Sequence, residues 1–186
     1  TFHLMLLNYD QTLNYLFEKL PMFQNIGKFA LTKDLTNTIK LLEFIGNPHL
    51  LTKWIHIGGT NGKGSTSSMV AAALTANGYK TGLYTSPHLV DFRERIRIDG
   101  EMISEQFVVD FTNKISPAID EFSPSFFEIT VAMAFEYFKE CNIDIGVIEV
   151  GLGGRLDSTN VITPIISAIT SIGLDHTDIL GNTIEE

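Results

Sequence analysis

The chemistry in this sequence begins at Gly59-Thr60-Asn61-Gly62-Lys63-Gly64-Ser65. A chain of phosphates needs backbone N–H groups aimed inward and no Cβ atoms in the way, and glycines at this density supply both. Lys63 adds a point charge for the terminal phosphates, and a nearby hydroxyl can reach the magnesium that accompanies them. The spacing departs from the standard G-x-x-x-x-G-K-[ST] pattern. Ile57 stands at its first glycine, and Gly64 follows the lysine where Ser or Thr is usual, so Ser65 and Thr66 must supply the hydroxyl. The plain alternative is a glycine-rich turn that only joins a strand to a helix.

Three more polar clusters follow. Tyr84-Thr85-Ser86-Pro87-His88-Leu89 can aim the Ser86 oxygen at a bound cation, although Ser-Pro after a strand is usually just a loop. Glu149 closes an otherwise apolar run and is followed by Gly151, Gly153, Gly154 and Arg155. A carboxylate there costs free energy unless it is paired or binds metal, and its oxygens suit magnesium. The alternative is a solvated turn with an Arg155–Asp157 pair. Gly173-Leu174-Asp175-His176-Thr177-Asp178 offers His176 as a metal ligand, a general base or a satisfied loop histidine.

The elements that must position these groups can be read from periodicity. Helical spacing runs from Asn8 to Leu20, with Pro21 as its stop, and from Asp34 to Ile45, where Leu35, Ile39, Leu42 and Ile45 share a face. Asp34 caps the second helix and Gly46 ends it. Trp54 to Ile57 reads as a buried strand that leads into the glycine loop, and Thr66 to Ala76 as the helix after it. Thr81 to Tyr84 is a strand, and Asp99-Gly100 turns a hairpin between Arg95–Ile98 and Glu101–Ile103. Glu105 to Ile119 is an amphipathic helix, and Glu128 to Glu140 is apolar on nearly all sides, hence central. Ile143–Val150 and Ile165–Ile172 read as buried strands. Strands alternating with helices predict an α/β fold with a doubly wound, mostly parallel sheet. All four polar clusters then lie just beyond strand ends, where such sheets bind ligands.

Composition removes several classes. With 186 residues, 44% of them apolar, the chain can bury a sizeable core and is not disordered. A net charge of −9 argues against nucleic acid as a partner. The lone Cys141 leaves no internal disulfide and no multi-cysteine zinc site. No apolar run approaches the length of a membrane span, and the first residues lack a signal peptide's basic region, so the expected location is the cytoplasm.

The motifs, in this order, resemble those of folylpolyglutamate synthases and the bifunctional dihydrofolate synthases of the Mur ligase superfamily. The residues that carry the likeness are Gly59–Ser65, Thr85-Ser86-Pro87-His88-Leu89, Glu94-Arg95-Ile96-Arg97, Glu149 through Asp157, and Asp175-His176-Thr177. The resemblance implies an ATP-dependent ligase that adds L-glutamate to a reduced folate or dihydropteroate through an acyl phosphate, with Mg2+ as cofactor and a monomeric parent. It assigns ATP to Gly59, Thr60, Asn61, Gly62, Lys63, Gly64 and Ser65, and magnesium to Ser86, Glu149 and His176. Lys63, Glu149 and His176 carry the catalytic roles. Ser125, Phe126, Phe127, Glu128, Leu156, Asp157 and Ser158 match segments that contact the pterin substrate, with a looser match over Gly27 to Leu31. Members of this family run to about twice the present length, so residues 1–186 read as a truncated N-terminal ATP-binding domain without its C-terminal glutamate-binding partner. Two rival readings are a nucleotide-binding module without turnover and a Mur-type cell-wall peptide ligase.

Overall fold

The structure, a computed structural model, describes residues 8–20 and 34–185. Helix α1 (Tyr9–Lys19) starts where the Asn8 side chain accepts the Gln11 N–H at 2.9 Å. Helix α2 (Thr36–Phe44) starts beside Asp34, whose carboxylate accepts the Thr36 N–H at 2.8 Å. Its buried face is Thr38, Leu41 and Leu42, continued by Ile45. Ile39, expected on that face, is 46% exposed, because the helix is rotated to bring Thr38 onto buried Glu128.

Strand β1 (Lys53–Gly58) leads into helix α3 (Lys63–Ala76) and then β2 (Thr81–Tyr84). A hairpin of β3 (Ile96–Ile98) and β4 (Glu101–Met102) turns at Asp99 and Gly100, both with positive φ as a tight primed turn requires. Helices α4 (Glu105–Phe122) and α5 (Phe126–Glu140) follow, then β5 (Ile145–Glu149), β6 (Ile166–Ile169) and the short α6 (Thr177–Leu180).

The sheet order is β4-β3-β2-β5-β1-β6. β2, β5, β1 and β6 are parallel, and the hairpin adds an antiparallel edge. Helix α5 lies on one face with eleven of its fifteen residues buried, which explains a sequence that is apolar nearly all round. Around it α1, α2 and α4 complete the larger core, which includes Trp54, Phe135 and Phe138. Helix α3 covers the other face over Ile55, Ile57, Leu83 and Val147. Helices on both faces of a mostly parallel sheet are the predicted doubly wound arrangement. Among the described residues no helix is long and apolar enough to cross a membrane.

One strand departs from expectation. β6 is not buried: Ile165, Ile166, Ile169 and Ile172 are each more than half exposed. Apolar runs predict burial only when both faces and both edges are covered, and among the described residues β6 is an edge strand with β1 as its one strand neighbour.

The central strands approach one another through glycine. A Cβ on Gly146 would lie 2.3 Å from Trp54 Cζ3, and that indole is fixed by its Nε1–H to the His49 carbonyl at 2.7 Å and by Phe135 at 5.0 Å. Gly146→Ala should therefore cost about 1 to 3 kcal/mol of stability, the usual penalty of an overpacked core. Urea denaturation followed by Trp54 fluorescence measures it, and an unchanged midpoint would show that the indole moves freely.

Candidate functional site

The phosphate loop sits where β1 ends. Gly62, at φ +81, precedes the first turn of α3, and no side chain caps that helix. The first-turn N–H groups lack intrahelical acceptors by the geometry of any α-helix, and so face the loop as donors. Lys63 is folded back on its own loop, donating from Nζ to the Gly59 carbonyl at 2.8 Å and the Thr60 carbonyl at 3.3 Å. A phosphate would exchange these neutral acceptors for charged ones.

The loop is also held from behind. After β6, Ser171 O accepts the Thr60 N–H at 2.8 Å, and Thr170 Oγ1 donates to the Asn61 carbonyl at 2.6 Å. The Thr60 hydroxyl bridges Gly173, donating to its carbonyl at 3.1 Å and accepting its N–H at 2.9 Å. This backing explains Gly59: at φ +135, a Cβ there would lie 2.2 Å from Thr170 Oγ1. Thr170 and Ser171 carry no signal of this role in the sequence, because nothing local marks a residue whose partner is 109 or 110 positions away.

Glu149 ends β5, 4% exposed. Its Oε2 accepts the Ser86 N–H at 2.9 Å, and both carboxylate oxygens stand 3.4 to 3.5 Å from where a Cβ on Gly64 would be. A side chain in place of Gly64 would press on that carboxylate. Burial pushes the Glu149 carboxyl above its ordinary value, against the Ser86 N–H, Lys63 and Arg95, which favour the charge. A buried carboxylate facing a phosphate cradle, with a serine beside it, is a hard-oxygen donor set. It fits magnesium, which binds one or two carboxylates together with substrate phosphates.

The structure thus brings Ser86 and Glu149 together. His176 stands at the start of α6 with φ +47, its N–H on Asp175 Oδ1 at 2.8 Å. β5 and β6 flank β1, so the strand ends that lead to Glu149 and towards His176 lie about 10 Å apart.

Arg95 links this edge to an aromatic group. It is 4% exposed, donates from Nε to His88 Nδ1 at 2.8 Å, and lies 5.2 Å over the Phe126 ring. Glu94 accepts the N–H groups of Leu89, Val90 and Asp91 and so shapes the loop after Ser86-Pro87, a cis peptide.

The segments matched to the pterin substrate divide into scaffold and surface. Ser125 and Glu128 form a capping box at the start of α5, with Glu128 fully buried. Phe126 stacks on Phe17 at 5.4 Å within the core. Asp157 and Ser158 are buried, and Asp157 accepts the Leu152 N–H at 2.8 Å. Surface is offered by half-buried Phe127, which lies 6.2 Å from Tyr84, and by Leu156, which is 51% exposed. Gly27 to Leu31 lie outside the described residues.

Residues 57–186 match the model of the Mur ligase middle domain. The chain belongs to the Mur ligase middle-domain family. It is 39% identical over 185 residues to the folylpolyglutamate synthase of Lacticaseibacillus casei, covering 96% of this chain and 42% of that one. An FPGS–AMPPCP–folate complex is 40% identical with a TM-score of 0.87, covering 96% of this chain and 43% of that chain. Escherichia coli FolC in complex with DHPP and ADP is 34% identical with a TM-score of 0.85, covering 96% and 42%. The chain therefore spans about two fifths of the length of the relatives it matches.

In this Mur ligase domain the state of Glu149 sets a pH dependence. Its folded pKa lies above the ordinary 4.5 because of burial, so just above pH 4.5 the folded state keeps a proton that the unfolded state has lost. Stability then falls as pH rises through that window. Glu149→Gln should remove this slope and raise the urea midpoint at pH 7. The check is the difference between wild type and variant from pH 4.5 to 8. A variant less stable at pH 7 would mean that the charge is well compensated without a cation.

Proposed function

We propose that this chain is the nucleotide- and acid-binding part of an ATP-dependent ligase that joins L-glutamate to a reduced folate or dihydropteroate. The observation that carries the reading is Glu149, a buried carboxylate set by Ser86 against the start of α3, beside a phosphate loop whose lysine rests on neutral backbone carbonyls. The matched relatives in complex with AMPPCP and folate, and with ADP and DHPP, support both halves of it.

A carboxylate is a poor electrophile, and phosphorylation repairs this. A carboxylate oxygen of the pterin substrate attacks the ATP γ-phosphorus, the bond to ADP breaks, and an acyl phosphate forms. The glutamate amine then attacks the acyl carbon, loses a proton, and expels inorganic phosphate to leave the amide. In this chain the loop Gly59–Ser65 would cradle the phosphates, with Lys63 neutralising charge that builds on the transferred group. Glu149 and Ser86, with His176, would hold magnesium, which when bound would supply further charge neutralisation. Phe127, Leu156 and the backbone of Gly151–Arg155 would line the pterin side, with Ser125, Phe126, Glu128, Asp157 and Ser158 as their support.

Charge-assisted contacts are each worth about 1.5 to 3 kcal/mol, so Lys63→Ala should weaken ATP binding about tenfold or more. Calorimetry on the folded variant measures it, and an unchanged affinity would remove Lys63 from the phosphate site.

Ligation requires three substrates in register, and proximity supplies about 7 to 11 kcal/mol of such a barrier. The 186-residue chain by itself should bind Mg–ATP weakly and form no amide at a useful rate. Purified chain incubated with ATP, dihydropteroate and glutamate gives the test. Turnover near that of a full-length relative would show that these residues alone hold all three substrates.

A further inference from the structure

His56, Thr159 and Asp157 form a buried chain of hydrogen bonds that phosphoryl transfer does not use. Their exposures are 8%, 0% and 6%. His56 Nε2 lies 2.8 Å from Thr159 Oγ1, which lies 2.5 Å from Asp157 Oδ1. The proton positions follow from counting donors. Asp157 Oδ1 also receives the Thr159 N–H at 3.0 Å and Oδ2 the Leu152 N–H at 2.8 Å, so the carboxylate is the acceptor. Thr159 has one hydroxyl proton and gives it to Asp157. With Asp157 ionised, the Thr159 oxygen accepts from His56, which is then protonated at Nε2.

The chain of bonds joins two parts of the site. His56 is on β1, two residues before Gly58, and so belongs to the strand that ends in the phosphate loop. Asp157 closes the loop Gly151–Asp157, which packs on Phe127 so tightly that a Cβ on Gly151 would lie 2.5 Å from that ring. No other side chain of β1 is hydrogen-bonded, among the described contacts, to the segment that follows β5.

We propose that His56 and Thr159 are positioning residues that hold the Gly151–Asp157 loop in register with the phosphate loop, and so set affinity for the acid substrate without touching nucleotide. This rests on the reading above that the loop takes the pterin-bearing acid. Holding two reactants in register matters because a misplacement of about 1 Å can cost about 100-fold in rate.

The test uses this chain and Thr159→Val, which keeps the shape and β-branch but removes the hydroxyl. In the wild type, long-range proton–nitrogen NMR should show His56 protonated at Nε2, and the Leu152 amide should exchange slowly. In Thr159→Val that amide should exchange at least tenfold faster, and dihydropteroate affinity should fall about tenfold while ATP affinity stays within twofold. Thr159→Ser should restore both. Should Thr159→Val fail to fold, His56→Gln, whose amide can still donate to Thr159, should behave as wild type and His56→Leu should not. His56 protonated at Nδ1, exchange unchanged in Thr159→Val, or ATP affinity falling as far as dihydropteroate affinity would each overturn the proposal. A wild-type chain that binds no dihydropteroate would refute the substrate reading alone, and the tautomer and exchange results would still decide the relay.

Discussion

The carboxylate of Glu149 must be kept charged-capable at a place where water hardly reaches it, and much of the architecture answers that demand. β5 lies between β2 and β1, so its end is flanked by Ser86 on one side and the phosphate loop on the other. Desolvation alone would neutralise the group. One backbone N–H, the Lys63 charge and the buried Arg95 guanidinium act against this, without a direct salt bridge to Glu149 among the described residues. An incompletely compensated carboxylate is what a cation-binding site needs, since a fully paired one would have nothing to offer a cation.

The elements were legible wherever local pattern and tertiary burial agree. Asn8, Asp34, Ser104 and Ser125 each place a side-chain acceptor beside a helix start, and Asp99-Gly100 turns its hairpin for the conformational reason a sequence reader would give. Ile39 and the isoleucines of β6 went the other way. Their apolarity is local, whereas burial depends on what lies alongside, and that is decided by helix rotation for Ile39 and by sheet order for β6. The site divides in the same manner. Gly59–Ser65 and Glu149 announce themselves by composition, and Ser86 by its place after a strand. Thr170, Ser171, His56 and Thr159 do not, because each acts through a partner distant in sequence.

The phosphate loop shows how much of a binding motif lies outside the motif. Its glycines permit the conformation, but its position comes from Thr170, Ser171 and Gly173, which grip Thr60 and Asn61 from the strand next door. Gly59 is required twice over, by its positive φ and by the Thr170 hydroxyl that occupies the space of a Cβ. With Lys63 turned onto the Gly59 and Thr60 carbonyls, the loop satisfies its own charge, and a ligand must replace those contacts with stronger ones.

On the opposite face the helix α5 does the corresponding work for the aromatic wall. Its capping box buries Glu128 at no cost in unpaired charge-bearing oxygens, since Ser125 N–H and the Thr38 hydroxyl both donate to it. That fixes the first turn, and the first turn fixes Phe126 under Arg95 and Phe127 beside Tyr84 and Gly151. Tyr84 ends the strand that precedes Ser86, and its hydroxyl meets Thr130 of α5 at 2.9 Å. One buried hydrogen bond thus sets the distance between the Ser86 loop and the aromatic wall. Because the sheet and helix α5 are packed into one core, the spacing between the two walls is fixed by the fold itself and not by a ligand.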